Sequence, residues 1–102
     1  MVEGEKVAII GAGPGGLVAA RWLISQGFEP TLFEQQSTLG GQWTGEPGHS
    51  GVWPGMYTNT SRILTAFSDL EHRSAAVFPS NREILDYLHR YAALYDLSLI
   101  HI

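Results

Sequence analysis

Cysteine is absent from this chain, which removes a disulfide framework, a thiolate nucleophile and a thiolate metal site together. Basic residues are few: six Lys and Arg stand against ten Asp and Glu, for a net charge of −4. That balance offers no basic patch, so nucleic acid is not expected as a partner. No apolar run approaches the roughly 18 residues that a membrane-spanning helix needs. The acidic start, Glu3-Gly4-Glu5, lacks the basic leader of a secretory signal. A soluble cytoplasmic protein with no membrane segment is the expectation. His49, His72, His89 and His101 show no metal-ligand spacing, and each reads as a surface or satisfied core residue. Internal repeats and low-complexity tracts are missing too. The 102 residues allow at most one small domain, and 44% hydrophobic content suits a globular core.

Glycine is what the chain has in plenty: twelve residues, clustered at 11–16 and 40–55. The apolar run Val7-Ala8-Ile9-Ile10 stops at Gly11, Gly13 and Gly16, and an apolar helical pattern follows at once. Strand, tight glycine turn and helix with G-x-G-x-x-G spacing point to a dinucleotide-binding fold. Gly11 lets the chain turn off the strand. Gly13 leaves no Cβ between the backbone and a pyrophosphate, and Gly16 lets the helix pack close to the strand. Pro14 and Gly15 fill the first helical turn, where the missing N–H of proline costs little. The unpaired N–H groups of that turn carry partial positive charge suited to phosphate.

A helix is expected from about Pro14 to Gln26, closed by Gly27 in a left-handed conformation. Leu17, Ala20 and Ile24 recur at helical spacing, with Val18, Ala19 and Leu23 broadening the stripe; Arg21 and Trp22 lie toward its edge. Pro30-Thr31-Leu32-Phe33 reads as a second strand ending in Glu34, about 20 residues beyond the glycine turn. A carboxylate there accepts hydrogen bonds from an adenosine ribose and repels a 2′-phosphate, favouring FAD or NAD over NADP at this first site. The alternative is a solvated glutamate at a strand end. Residues 35–79 read as loop with at most short helical turns near Ser61 to Phe67, and a loop of that length tends to be functional. Ser80-Asn81-Arg82-Glu83 has the form of a capping box. Ile84, Leu88, Tyr91, Ala92 and Tyr95 then mark one face of a helix closed by Asp96, and Leu97 to Ile102 reads as a third strand. The expected architecture is α/β: a Rossmann-like β-α-β-(long loop)-α-β half of a doubly wound parallel sheet, strand order 3-2-1. A chain that stops on a strand, with only two helices, reads as truncated, one partial domain over 1–102 with a functional loop at about 35–79.

These residues resemble the flavin-containing monooxygenases, with the related Baeyer–Villiger monooxygenases close by. GAGPGGLVAARWLISQGFEPTLFEQ is similar to the family's FAD-binding start, which ends here at Glu34 and Gln35. Leu39-Gly40-Gly41-Gln42-Trp43 resembles its L-G-G-x-W, where the glycine backbone approaches the flavin and the Trp packs nearby. Met56-Tyr57-Thr58-Asn59-Thr60-Ser61 resembles its Y-x-x-L-x-T-N-T-x-K segment, with Tyr57 displaced and Arg62 replacing Lys. Phe67-Ser68-Asp69 is similar to its F-S-D-F-P, from which Leu70-Glu71 departs. Phe78-Pro79-Ser80 with Ile84-Leu85-Asp86-Tyr87-Leu88 is similar to its F-P-x…L-x-Y-L helix. The resemblance implies FAD held by Gly11, Gly13, Pro14, Gly15, Gly16, Glu34, Gln35, Gly40, Gly41, Gln42, Trp43, Thr58 and Asn59, with Asn59 beside the reacting ring. From spacing alone Asn59 reads as a turn residue between Thr58 and Thr60, and only the resemblance raises it. Trp43 and Trp53 read as loop anchors or core, with the preceding Gly40-Gly41 shifting Trp43 toward the cofactor.

The family's second G-x-G-x-x-G, for NADPH, and its F-x-G-x-x-x-H-x-x-x-Y stretch do not occur in these residues. The resemblance therefore implies the N-terminal FAD-binding segment of an NADPH- and O2-dependent monooxygenase acting on a soft nucleophile or ketone. Such a segment would not be catalytically complete alone, and would need a C-terminal portion or a second chain before it met a small-molecule substrate. Two other readings stand beside it: a non-enzymatic ADP- or dinucleotide-binding module, possible as a subunit of a split flavoprotein, and a truncated product of poor stability.

Overall fold

The computed structural model describes residues 4–48 and 51–101, and of His101 the backbone only. His49 and Ile102, both named above, lie outside the described residues. Strand β1 spans Lys6–Ile10, helix α1 Pro14–Ser25, strand β2 Glu29–Glu34, helix α2 Asn81–Leu94 and strand β3 Leu99–His101. Among the described residues, one 3-10 turn, Gly41–Thr44, interrupts the long connection between β2 and α2. The strands form one parallel sheet in the order β1-β2-β3, with Ile9 beside Leu32 and Leu32 beside Leu99. That is the expected order read from the other edge. Both crossovers step the same way across the sheet, so right-handed connections put α1 and α2 on one face.

Each helix ends by the same device. Beyond α1 the Gly27 N–H donates to Ile24 O and the Phe28 N–H to Leu23 O, with Gly27 at φ +87°. Beyond α2 the Asp96 N–H donates to Ala93 O and the Leu97 N–H to Ala92 O. Both are Schellman closures, which require a left-handed residue. In α2 that residue is Asp96, at φ +50° the one non-glycine residue with positive φ among those described. The helix starts differ. Ser80 and Glu83 cap α2 reciprocally, through Glu83 N–H to Ser80 Oγ and Ser80 N–H to Glu83 Oε1. The first turn of α1 has no side-chain cap at all.

The core lies between the helices and one sheet face, built from Leu17, Ala20, Leu32, Ile84, Leu88 and Tyr91. Burying each large apolar side chain there contributes about 1.5–3 kcal/mol. Ile24, expected on the inward stripe, is 43% exposed. Its spacing is right, but α1 packs chiefly over β2, and its last turn has no core beneath it. Tyr95, expected on the inner face of α2, is its C-cap residue and is only partly buried. Ile10, Phe33 and Ile100 fall in register on the opposite sheet face, where Ile10 is 80% exposed.

The loop is tied down by polar staples. Phe67 N–H donates to the Tyr87 hydroxyl, which in turn donates to Leu70 O. Asp69 Oδ2 takes hydrogen bonds from Arg21 Nε (2.7 Å) and the Tyr91 hydroxyl (3.2 Å). The Arg21 guanidinium also lies over the Trp22 and Tyr95 rings. The Phe67-Ser68-Asp69 segment thereby joins α1 to α2 through side chains of both helices.

Candidate functional site

At the C-terminal ends of β1 and β2 a cleft of about 390 Å³ opens, lined by Ile10, Gly11, Gly13, Phe33, Glu34, Gln35, Gln36, Gly41 and Gln42. This is where ligands bind in open α/β sheets, outside the carboxyl ends of the strands. Of the residues named from sequence, Gly11, Gly13, Glu34, Gln35, Gly41 and Gln42 come together in its wall. Pro14, Gly15 and Gly16 form the start of α1 just beyond.

The glycines divide by what a side chain would meet. A Cβ on Gly16 would fall 2.0 Å from Gly11 O and 3.4 Å from Leu32, so only glycine lets α1 sit this close to the strand, as its place in the motif predicts. A Cβ on Gly15 would enter open space. A Cβ on Gly13 would lie 3.4 Å from the Gly41 Cα, an ordinary van der Waals contact, so chain packing does not by itself demand glycine there. Gly41, at φ +58°, would bring a Cβ to 2.9 Å from the Gly13 Cα, and one on Gly40 would meet Leu85 at 2.5 Å. The Gly40-Gly41 pair is thus pressed between the glycine turn and α2, a packing reason in addition to any approach by a ligand.

Four hydrogen bonds join these pieces into a closed ring. Ala12 N–H donates to Glu34 Oε1 at 2.8 Å, and Gly40 N–H to Ala12 O at 2.8 Å. Gln36 Nε2 donates to Gly41 O at 3.1 Å, and Gln36 N–H to Glu34 Oε2 at 2.9 Å. Glu34 is 5% exposed. It is therefore not a solvated strand-end glutamate: each oxygen holds a backbone N–H and keeps further acceptor capacity toward the cleft it lines. Gln36, equally buried, was missed from sequence. Its Oε1 also accepts from the Thr44 hydroxyl at 2.6 Å. One glutamine in a polar run of loop gives no periodic signal, and nothing in its spacing marks it.

Besides Gly40, which packs against Leu85, three other expected site residues lie outside the cleft wall. Trp43, read as close to a cofactor, packs its partly buried side chain against the core. Thr58 is held by its N–H to Pro79 O and by its hydroxyl to Thr60 O, and Asn59 beside it is exposed. The neighbouring Tyr57 pairs with Ser80, which places this segment at the start of α2. Among the described residues no cluster of His, Asp and Glu could hold a metal ion. Nor is any described helix long and apolar enough to cross a membrane.

The geometry suits an anionic dinucleotide. The uncapped N-terminus of α1 leaves first-turn N–H groups without a side-chain acceptor, and phosphate oxygens fill that role well. Comparison with known proteins agrees. Human (Homo sapiens) flavin-containing monooxygenase 2 is 35% identical over 98 residues, covering 91% of this chain. The chain spans 18% of that relative's length. S-allyl-L-cysteine S-oxygenase from Allium sativum superposes with a TM-score of 0.77 at 31% identity, over 92% of this chain and 27% of its own. An oxidized steroid monooxygenase bound to NADP gives a TM-score of 0.80 at 26% identity, over 98% of this chain and 19% of its own. The flavin-binding monooxygenase-like family matches residues 4–102, all but the first three. A glycine turn, a buried glutamate at the end of β2 and this match together place the chain in the flavin-binding monooxygenase-like family, homologous to its N-terminal region.

Proposed function

We propose that the cleft binds FAD, with the pyrophosphate at the glycine turn, the adenosine ribose at Glu34 and the flavin side toward Gly41 and Gln42. The observation that carries this reading is the pairing of an uncapped α1 N-terminus with the buried Glu34 carboxylate across one cleft. The peptide N–H groups of Gly15 and Gly16 would meet phosphate, and Gly11 provides the turn. Glu34 would accept from ribose hydroxyls and disfavour a 2′-phosphate. Gly40 and Trp43 act behind the wall, by packing, while Thr58 and Asn59 enter on the resemblance of their segment. FAD supplies the redox chemistry when bound; these residues bind it and orient it.

For the whole protein the proposed activity is NADPH- and O2-dependent oxygenation of a soft nucleophile or ketone. Support comes from the monooxygenase relatives, each much longer than this chain. The NADPH site is proposed to come from residues beyond these 102, in the same polypeptide or a second chain, because the sequence holds a single G-x-G-x-x-G.

Titration of the purified chain with FAD, and separately with ADP, tests the reading through flavin fluorescence and melting temperature. FAD should bind more tightly than ADP. At 100 times its Kd it should add about 2.7 kcal/mol of stability, which raises the melting temperature of a domain this size by roughly 10 °C or more. A folded chain that binds neither ligand would overturn the site. Equal affinity for both would reduce the protein to an ADP-level binding module.

A further inference from the structure

The hydrogen-bond ring joins two parts of the cleft that face different ends of a dinucleotide. One is the Ala12–Glu34 pair, on the ribose side. The other is the Gly40–Thr44 turn, on the flavin side. We infer that Gln36 is a positioning residue that locks these two parts in register, so that the ADP end of FAD fixes where the flavin-side turn stands. This rests on the reading that the cleft holds FAD.

Gln36 touches both parts through different atoms. Its backbone N–H holds Glu34 Oε2, while its side chain holds Gly41 O and receives the Thr44 hydroxyl. Gly40 N–H also holds Ala12 O and Trp43 packs on the core. But Gly40 and Gly41, both at positive φ, have no side chain to link the turn to Glu34, and Gln36 makes that link. A buried carboxamide costs stability unless its polar atoms are satisfied, and an apolar residue would fill a merely structural position at lower cost. Here donor and acceptor are both used, each on the same turn. Thr44 forms the outer end of the clamp: its hydroxyl also accepts from Glu46 N–H, and it lies outside the cleft wall.

The separation of backbone and side-chain roles gives the test. Gln36→Met keeps the backbone bond to Glu34 and deletes both side-chain bonds. Calorimetric titration of the 102-residue chain with FAD and with ADP should show FAD affinity falling on the order of tenfold, with ADP affinity changing less than about twofold. The visible circular dichroism of bound flavin should weaken with it. Thr44→Val should shift FAD affinity in the same direction by less, and the double variant should be no worse than Gln36→Met, the non-additivity of residues in one network. Equal loss for both ligands, or loss for neither, would overturn the coupling. If Gln36→Met does not fold, Thr44→Val decides, and an unchanged FAD-to-ADP ratio there sinks the idea. A wild-type chain that binds FAD no tighter than ADP removes the underlying reading and this inference with it, and shows so before any variant is made.

Discussion

At the scale of single residues, neighbouring glycines do opposite things. Gly16 has Gly11 O where its Cβ would go, while Gly15 has open space. Gly16→Ala must push α1 off the strand, and should cost about 2–4 kcal/mol. Gly15→Ala should be neutral or stabilise by up to about 1 kcal/mol through helix propensity and a less flexible unfolded chain. Urea unfolding of the two variants checks both; equal midpoints would refute the packing argument. The role of Gly16 was legible because motif spacing fixes which glycine meets the strand. That of Gly40 and Gly41 was not, since their neighbours Leu85 and Gly13 are distant in sequence and only the folded chain brings them close. Gln36 was invisible for another reason: its partners Glu34, Gly41 and Thr44 are near in sequence, but irregular loop has no period to mark which glutamine meets them. Glu34 stands in the cleft wall at the strand end where spacing put it, but its two backbone donors could not be seen from spacing.

Among elements, the two helices show what their ends are for. The start of α2 is complete in itself, and the S-x-x-E pattern made its capping box legible. The start of α1 has no side-chain cap, the open form that the proposed phosphate contact needs. At the other end of α2, Asp96 holds a left-handed conformation that costs an ordinary residue roughly 1–2 kcal/mol. Asp96→Gly should therefore raise stability by about 0.5–1 kcal/mol, read as a higher denaturation midpoint with unchanged ligand affinity. A lower midpoint would mean that the aspartate contributes something its backbone geometry does not show. Periodicity found the inner faces of both helices but misplaced Ile24, because a repeat of 3.6 residues says which way a side chain points and not where the core beneath it ends.

For the molecule as a whole, the titrating groups set a pH window. Burial holds the His72 imidazole below its ordinary value of 6.5, and its Nδ1 accepts from the Ser74 N–H. Glu83, near it, and Arg90 and Arg62 modify that shift less. The unfolded chain therefore takes up a proton that the folded chain refuses. Stability is full above about pH 6.5 and declines as the pH falls toward the folded value. Burial alone would raise Asp69, but hydrogen bonds from Arg21 and the Tyr95 and Tyr91 hydroxyls outweigh it and hold it below 3.8. Hydrogen bonds from Ser74 and the Ser80 backbone hold Glu83 below 4.5. Their contributions are present above those values and vanish as the pH falls through the lower folded ones. Burial raises Tyr91 above 10, which places the opposite loss on the alkaline side. Chemical denaturation across pH should show a plateau from about 6.5 to 10, with acid loss in two stages. His72→Phe, keeping a ring over Tyr87, should abolish the first acid stage and leave the second. A single acid transition unchanged by that substitution would contradict the assignment. None of this was legible: His72 looked like any scattered histidine, and its stacking on Tyr87, 4.8 Å between centroids, is a product of tertiary packing.

The hydrogen-bond ring also has a consequence in time. All its members, and every residue lining the cleft, lie between Ile10 and Thr44, whereas Leu32 must wait for Leu99 to complete the sheet. At about 5–20 residues per second of synthesis, the nascent chain has several seconds in which the polar frame of the cleft can close before α2 and β3 exist. The apolar burial of Leu17 and Leu32 beneath Tyr91 comes only afterwards. Within these 102 residues the cleft wall is thus made before the α2 and β3 residues that bury the core beside it.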